Sequence, residues 1–179
     1  KLYPKIVTES YLHSMMMAIL VAAHETTSNA SANAIRTLLT NRRTWQEICE
    51  NPNLIPNAVE ECLRFEGSVV AWRRRVTKDT QIHGVDIPAD ARLLIVLASA
   101  NHDERQFENP DEVDLYRENT ADHLTFGYGS HQCMGKNIAR MELRIFLEEF
   151  TRRLPHLEIV PDQEYNYLPN TSFRGPSSL

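Results

Sequence analysis

Between Ser10 and Thr40 the sequence holds neither glycine nor proline, and alanine, leucine, methionine and isoleucine dominate. With no helix breaker in the span, the stretch predicts one helix of roughly 30 residues, about 45 Å long at 1.5 Å per residue. Few folds accommodate a rod of that length, so it constrains everything that follows. Its Met15–Ala23 part is apolar on more than one face, which predicts a place inside a core rather than on one. The same run is the longest apolar one in the chain, and it is too short to span a bilayer. No basic segment with a cleavage site precedes it. The expectation is a cytoplasmic protein with no membrane association.

A second helix is expected over Thr44–Glu50, stopped by Asn51-Pro52, and a third from Ile55 to Phe65, ended by Gly67. The pattern then changes. Arg75–Ile82 alternates, His83-Gly84 turns and Val85–Ile87 returns, which reads as a hairpin. Arg92–Ala98 is a continuous aliphatic run, expected as a buried strand or short buried segment. Residues 101–120 are polar, carry Asn-Pro-Asp and predict a long irregular stretch, of the kind that is functional or wrapped on a surface. Gly135–Leu154 is periodic, with Ile138, Met141, Leu143, Ile145, Phe146 and Phe150 apolar, and predicts a helix. The tail, 158–179, alternates and carries Pro161, Pro169 and Pro176, which suits short edge strands. The class is mainly α with small β-sheets.

The formal charge of −5 argues against nucleic acid as a partner, because phosphate binding needs a basic surface. Three cysteines, Cys49, Cys62 and Cys133, are odd in number, widely spaced and form no C-x-x-C pair. That excludes a disulfide framework and a structural zinc site, and fits a reducing compartment.

Cys133 stands apart because of its surroundings, "HLTFGYGSHQCMGKNIA" from His123 to Ala139. Gly127, Gly129 and Gly135 permit conformations that turn amide N–H groups toward one point. A helix starting near Gly135 adds the positive end of its dipole just past the cysteine. Both effects favour a thiolate, which can act as a nucleophile or a metal ligand. An inert buried cysteine in a glycine-rich turn is the third reading. His131 is a candidate base or a donor to an anion, and H-x-C is poor spacing for one zinc. These residues alone leave the choice open.

Phe126-Gly127-Tyr128-Gly129-Ser130-His131-Gln132-Cys133-Met134-Gly135 resembles, position by position, the haem-binding signature F-G-x-G-x-[HR]-x-C-x-G of the cytochrome P-450 haem-thiolate monooxygenases. The resemblance implies that Cys133 is the axial ligand to haem iron, its electron donation favouring O–O cleavage. Three further segments resemble the family in order and spacing. Glu61-Cys62-Leu63-Arg64 is similar to the E-x-x-R of helix K. Its usual third partner comes from a Pro-x-Arg-Phe-like stretch; here that stretch is Pro110–Arg117, Glu112 stands where arginine is expected, and Arg117 is the possible substitute. Ala22-Ala23-His24-Glu25-Thr26-Thr27 resembles the oxygen-binding motif [AG]-G-x-[DE]-T-T of helix I, with Ala23 in place of glycine. By the resemblance, Glu25 and Thr26 deliver protons to dioxygen. Thr26 can also bond the carbonyl four residues back and bend the helix. Arg73-Arg74-Arg75, followed by Val76-Thr77-Lys78-Asp79, resembles the stretch that gives an arginine to a haem propionate. Counting back from Asp79 selects Arg74, a planar and always-charged partner for carboxylate, and His131 fits the second propionate contact.

The resemblance implies the C-terminal portion of the cytochrome P-450 fold, from helix I through the cysteine loop and helix L to the terminal strands. Residues 1–179 would then be part of a single haem-binding domain. The implied function is oxidation of a small apolar organic substrate with dioxygen and NAD(P)H-derived electrons, by way of haem b. Phe126, Gly127, Gly135, Ala139, Ala22 and Val70 would also line the haem, while Val21, Val69, Trp72 and Phe173 would face substrate. The loop and tail look most like bacterial self-sufficient members, whose fused reductase carries FMN and a 2Fe-2S centre. The alternatives are a haem sensor or non-oxygenating haem-thiolate protein, which has no use for the Glu25–Thr26 pair, and a cysteine hydrolase or thiol redox enzyme using Cys133 and His131.

Overall fold

A computed structural model describes residues 7–167 and 169–179. Helix α1 runs Glu9–Thr40, 32 residues unbroken. Its first turn is closed by Thr8, whose hydroxyl accepts the Tyr11 N–H at 3.2 Å. The chain turns at Asn41, which caps α2 (Arg42–Glu50) by accepting the Arg43 N–H. Helix α3 spans Ile55–Phe65, as the sequence predicts, with a proline in its first turn. After the sheets and the long irregular stretch, α5 spans Lys136–Arg153, with Arg152 and Arg153 in its last turn, where cations suit the dipole.

The core lies where these four helices meet. Ala30, Ala34 and Leu38 of α1, Trp45 and Ile48 of α2, Ile55, Ala58, Val59 and Leu63 of α3, and Leu143 and Leu147 of α5 form one buried cluster. Only the C-terminal half of α1 takes part in it. Met16, Leu20 and Val21 are 69%, 65% and 56% exposed. This corrects the expectation that Met15–Ala23 lies within the core: among the described residues no element reaches that half of the helix.

Strand β1 (Ala71–Arg75) pairs antiparallel with β4 (Arg92–Val96), in the register Ala71↔Val96 to Arg75↔Arg92. Strands β2 (Thr80–Ile82) and β3 (Val85–Ile87) form a separate hairpin. Its two-residue turn is His83-Gly84, both at positive φ, the geometry that matches strand twist. Arg75 therefore belongs to β1, not to the hairpin. The aliphatic run of β4 also departs from expectation. Four of its five residues are exposed, and the chain converts to the short helix α4 (Leu97–Ala100) as soon as it reaches buried Leu97. In the tail, the described residues form two isolated bridges, Val69↔Phe173 and Tyr167↔Pro176, rather than strands. The three prolines there interrupt any longer ladder.

Candidate functional site

Helix α3 supplies the frame. Glu61 and Arg64 have fully buried side chains, one turn apart. The Arg64 Nε and Nη2 donate to Glu61 Oε2 and Oε1, both at 2.8 Å. The other three N–H groups of Arg64 go to the carbonyls of Asn101, Pro110 and Glu112, so every donor of the guanidinium is used. Glu61 Oε1 also accepts the Asp114 N–H at 2.9 Å and the Arg117 Nε at 3.2 Å. Burial alone pushes the Glu61 carboxyl up, but the bonds from Arg64 and Asp114 and the charges of Arg64 and Arg117 outweigh it and hold it below the usual range.

Arg117 thus takes the third place in the cluster. Its Nη1 and Nη2 also donate to the carbonyls of Glu108, Asn109 and Glu112. The residue at 112 contributes its backbone oxygen to both arginines, so no arginine side chain is needed there. Through these bonds α3 holds the irregular stretch, and Asn57 adds two more, to the carbonyls of Leu115 and Arg117.

The cysteine loop hangs from the same helix. Thr125 is buried and its hydroxyl donates to the Leu63 carbonyl at 2.6 Å while accepting from Asn101 Nδ2 at 2.8 Å. Asn101 Oδ1 in turn accepts the Leu124 N–H at 2.7 Å. Beyond this anchor, Gly127 and Gly129 adopt φ of +70° and +76°, left-handed conformations costly for other residues. Gly135 sits at φ −85°, an ordinary value, so its expected role in bending the backbone is not borne out. An added Cβ there would lie at ordinary van der Waals distance, 3.9 Å, from the Cys133 Sγ. The Cys133 N–H donates to the Phe126 carbonyl at 2.9 Å, closing the loop. Cys133 and His131 are exposed, and α5 begins three residues after the cysteine. Ala139 is bound to Gly135 by the first helical bond, at 2.9 Å. Cys62, by contrast, is buried, and burial pushes its thiol up; Cys49 is raised for the same reason. Neither is suited to act as a thiolate.

The remaining predicted positions fall into two groups. On α1, Thr26 donates its hydroxyl to the Ala22 carbonyl at 2.6 Å, the back-bond expected from the sequence. Glu25 and Thr26 are half-buried, and Val21 and Ala22 are exposed. On the sheet, Arg74 opposes Leu93 and is exposed, its guanidinium bonded only to the adjacent Arg73 carbonyl among the described residues. Next to it, Val69 bridges Phe173, Val70 donates its N–H to the Ser172 carbonyl at 2.7 Å, and the Trp72 and Phe173 rings meet edge-on at 5.7 Å. The four residues from Val69 to Trp72 and the tail thus form one wall. No hydrogen bond joins the α1 pair, the Arg74 strand and the cysteine loop to one another among the described residues.

The donor set fits a haem. An accessible thiol on a loop of fixed backbone suits a soft ligand to iron, the exposed Arg74 guanidinium and the exposed His131 ring, as N–H donors, suit its carboxylates, and the exposed apolar faces of α1 and β4 suit a flat apolar ring. A metal ion held by clustered side chains is a different matter: no group of three or more His, Cys, Asp or Glu with that geometry exists among the described residues. Among them too, no helix is long and apolar enough to cross a membrane.

One cluster, in which Glu60, His123 and Arg140 meet, lies outside the motifs of the sequence. No local motif signals it, since the three residues lie on α3, the loop and α5.

Comparison with known proteins gives a consistent result. A family model described as Cytochrome P450 matches residues 5–171. The crystal structure of an intact type IV self-sufficient cytochrome P450 monooxygenase superimposes with a TM-score of 0.94 at 72% identity, over 97% of this chain and 23% of that one. The haem domain of Acinetobacter radioresistens CYP116B5 gives 0.92 at 63% identity, over 97% and 42%. The biotin biosynthesis cytochrome P450 of Bacillus subtilis is 37% identical over 96% of this chain and 43% of its own length. The chain thus spans less than half the length of the curated relatives it matches.

Proposed function

This chain belongs to the cytochrome P450 family, and from that premise we propose that it forms part of a haem-thiolate monooxygenase domain, with residues 1–179 as its C-terminal portion. The observation that carries the reading is the cysteine loop: Cys133 is exposed on a backbone fixed by two left-handed glycines and by the Phe126 carbonyl. When bound, the haem supplies the redox chemistry by which dioxygen is reduced with two electrons and one oxygen atom enters the substrate.

The chain's own residues bind, orient and move protons. Cys133 would hold the iron through Sγ. Phe126, Gly127, Gly135, Ala139, Val70 and Ala22 would border the ring, and Arg74 and His131 would pair with its propionates. The Thr26 hydroxyl, held on the Ala22 carbonyl at 2.6 Å, keeps its lone pairs free to accept a hydrogen bond, while Glu25 beside it would supply the proton. The back-bond also loosens the helix at that turn, where Ala23 replaces the family's glycine. Val21, Val69, Trp72 and Phe173 present an apolar surface to a small apolar organic substrate. The 72% identity with an intact self-sufficient monooxygenase supports electron supply from NAD(P)H by a fused or partner reductase with FMN and a 2Fe-2S centre, and the bacterial relatives support a cytoplasmic setting.

The test is the carbon monoxide difference spectrum of the reduced, complete protein. A red-shifted Soret band of the thiolate type is expected, and a band without that shift would overturn the reading. Cys133→Ser removes a side chain exposed to solvent, so the protein is expected to fold and to lose the band.

A further inference from the structure

Glu60 and Glu61 are neighbours on α3, and consecutive helical residues point about 100° apart. Glu61 faces the irregular stretch; Glu60 faces the cysteine loop. Its carboxylate takes a two-point fork from Arg140 of α5, Nε to Oε1 and Nη2 to Oε2, both at 2.7 Å. The same carboxylate faces the fully buried His123 ring, with Nε2 3.3 Å from Oε2. His123 Nδ1 accepts the Thr125 N–H at 3.2 Å, so the ring proton of the neutral form sits on Nε2, toward Glu60. Burial alone pushes the Glu60 carboxyl up, but the His123 ring facing it at 3.3 Å and the fork and charge of Arg140 bring it down to about 2.

The cluster converges on one ring. The Arg140 guanidinium lies over Phe126 with its carbon 4.7 Å from the centroid, within range of a cation–π contact. The His123 ring leans on the same Phe126, centroids 5.7 Å apart. The Phe126 carbonyl is the acceptor of the Cys133 N–H. A path of direct contacts therefore runs from Glu60 through Arg140 and His123 to Phe126 and so to the backbone of the cysteine.

We propose that Glu60, His123 and Arg140 are positioning residues for the Cys133 ligand, acting through Phe126, an inference that rests on the haem-thiolate reading. The carboxylate fork fixes the plane of the guanidinium. A lone arginine with 28% side-chain exposure would otherwise extend its head into water. Held flat, the guanidinium and the imidazole confine the Phe126 ring, and the ring confines the carbonyl that receives the Cys133 amide. Loss of the clamp leaves the thiol present but the loop mobile, so the ligand is more readily displaced.

The experiment follows, in the complete haem-loaded protein, the lifetime of the thiolate-type band in the reduced carbon monoxide complex. Arg140→Met and Glu60→Gln are compared with Arg144→Met, which removes an exposed ion pair to Glu148 on the same helix and does not touch Phe126. A several-fold faster loss of the band is expected in the first two and none in Arg144→Met. Arg140→Lys, which keeps the charge and stem but not the fork, is expected to fall between, and it carries the comparison if Arg140→Met does not fold. Variants that melt earlier yet keep the wild-type band lifetime would show a merely structural cluster and overturn the inference alone. A wild type without the band overturns the proposed function, and the inference with it.

Discussion

Replacing Arg117 with methionine tests the assignment of the third member of the buried cluster. The substitution keeps the apolar stem and deletes one bond to Glu61 and three to the carbonyls of Glu108, Asn109 and Glu112. Glu61 keeps the Arg64 fork and the Asp114 amide, so no buried charge is orphaned, and Glu108 and Asn109 are exposed enough for water to replace the lost donor. What remains is one charge-assisted bond and the looser anchoring of the irregular stretch, about 1.5–3 kcal/mol. Arg64→Met leaves Glu61 without its fork and the Asn101 and Pro110 carbonyls without their donor, so it is expected to cost more, about 3–5 kcal/mol. Glu112→Ala removes a carboxylate that the cluster does not use and should stay within about 0.5 kcal/mol. The assay is urea unfolding of the complete protein, read as the change in midpoint at constant slope. The acid limb gives a second reading. Glu61 is depressed in the folded state, so its contribution is present above the ordinary carboxylate range and fades as pH falls below it. Without Arg117 the depression is smaller, and acid unfolding should begin at a higher pH. An Arg117→Met variant no less stable than Glu112→Ala, with an unmoved acid limb, would refute the assignment.

Thr26→Ala deletes the hydroxyl held on the Ala22 carbonyl; more peroxide released per reductant consumed is expected, with substrate binding unchanged, and unaltered coupling would remove Thr26 from the proton path. Gly129→Ala forces a side chain into φ +76°, at about 1–2 kcal/mol, and should show as faster haem loss, measured by transfer to apomyoglobin. In Gly67→Ala the new Cβ meets the Leu63 carbonyl and the Thr125 methyl, each at 2.7 Å; strain of about 1–3 kcal/mol and a lower melting temperature are expected, and a neutral result would mean that the Thr125 anchor is softer than its bonds imply.

Helix α3 could be read from its sequence to the residue, because Pro56 and Gly67 bracket it and its apolar positions recur at helical spacing. The hairpin turn was legible for a similar reason, since His83-Gly84 stands between two short alternating runs. Other features had no local signal. The aliphatic residues of β4 and of Met15–Ala23 carry the same pattern whether something covers them or not, so the pattern does not encode their exposure. Glu112 departs from the family's pattern at no loss to the cluster, because Arg64 and Arg117 both use the 112 carbonyl, and any residue supplies one. Glu60 was hidden by its distance of eighty positions from Arg140. Contacts of that kind belong to packing, and the spacing of residues along one element does not encode them.

These contacts give α3 a role that the E-x-x-R motif describes only in part. Glu61 and Arg64 bind the irregular stretch, the Leu63 carbonyl holds Thr125, and Glu60 holds Arg140 and, through it, Phe126. Four of five consecutive residues thus face three different segments, which is possible because each step along a helix turns the side chain by about 100°. The fold's stability and the placement of the cysteine therefore share one eleven-residue helix. A surface ion pair could be lost with little effect. Here Glu61 is fully buried and Glu60 is only 15% exposed, and each has more than one donor, so a displacement of α3 breaks bonds on all sides together. That coupling is a physical reason for an exposed cysteine loop to be built on buried polar residues of α3.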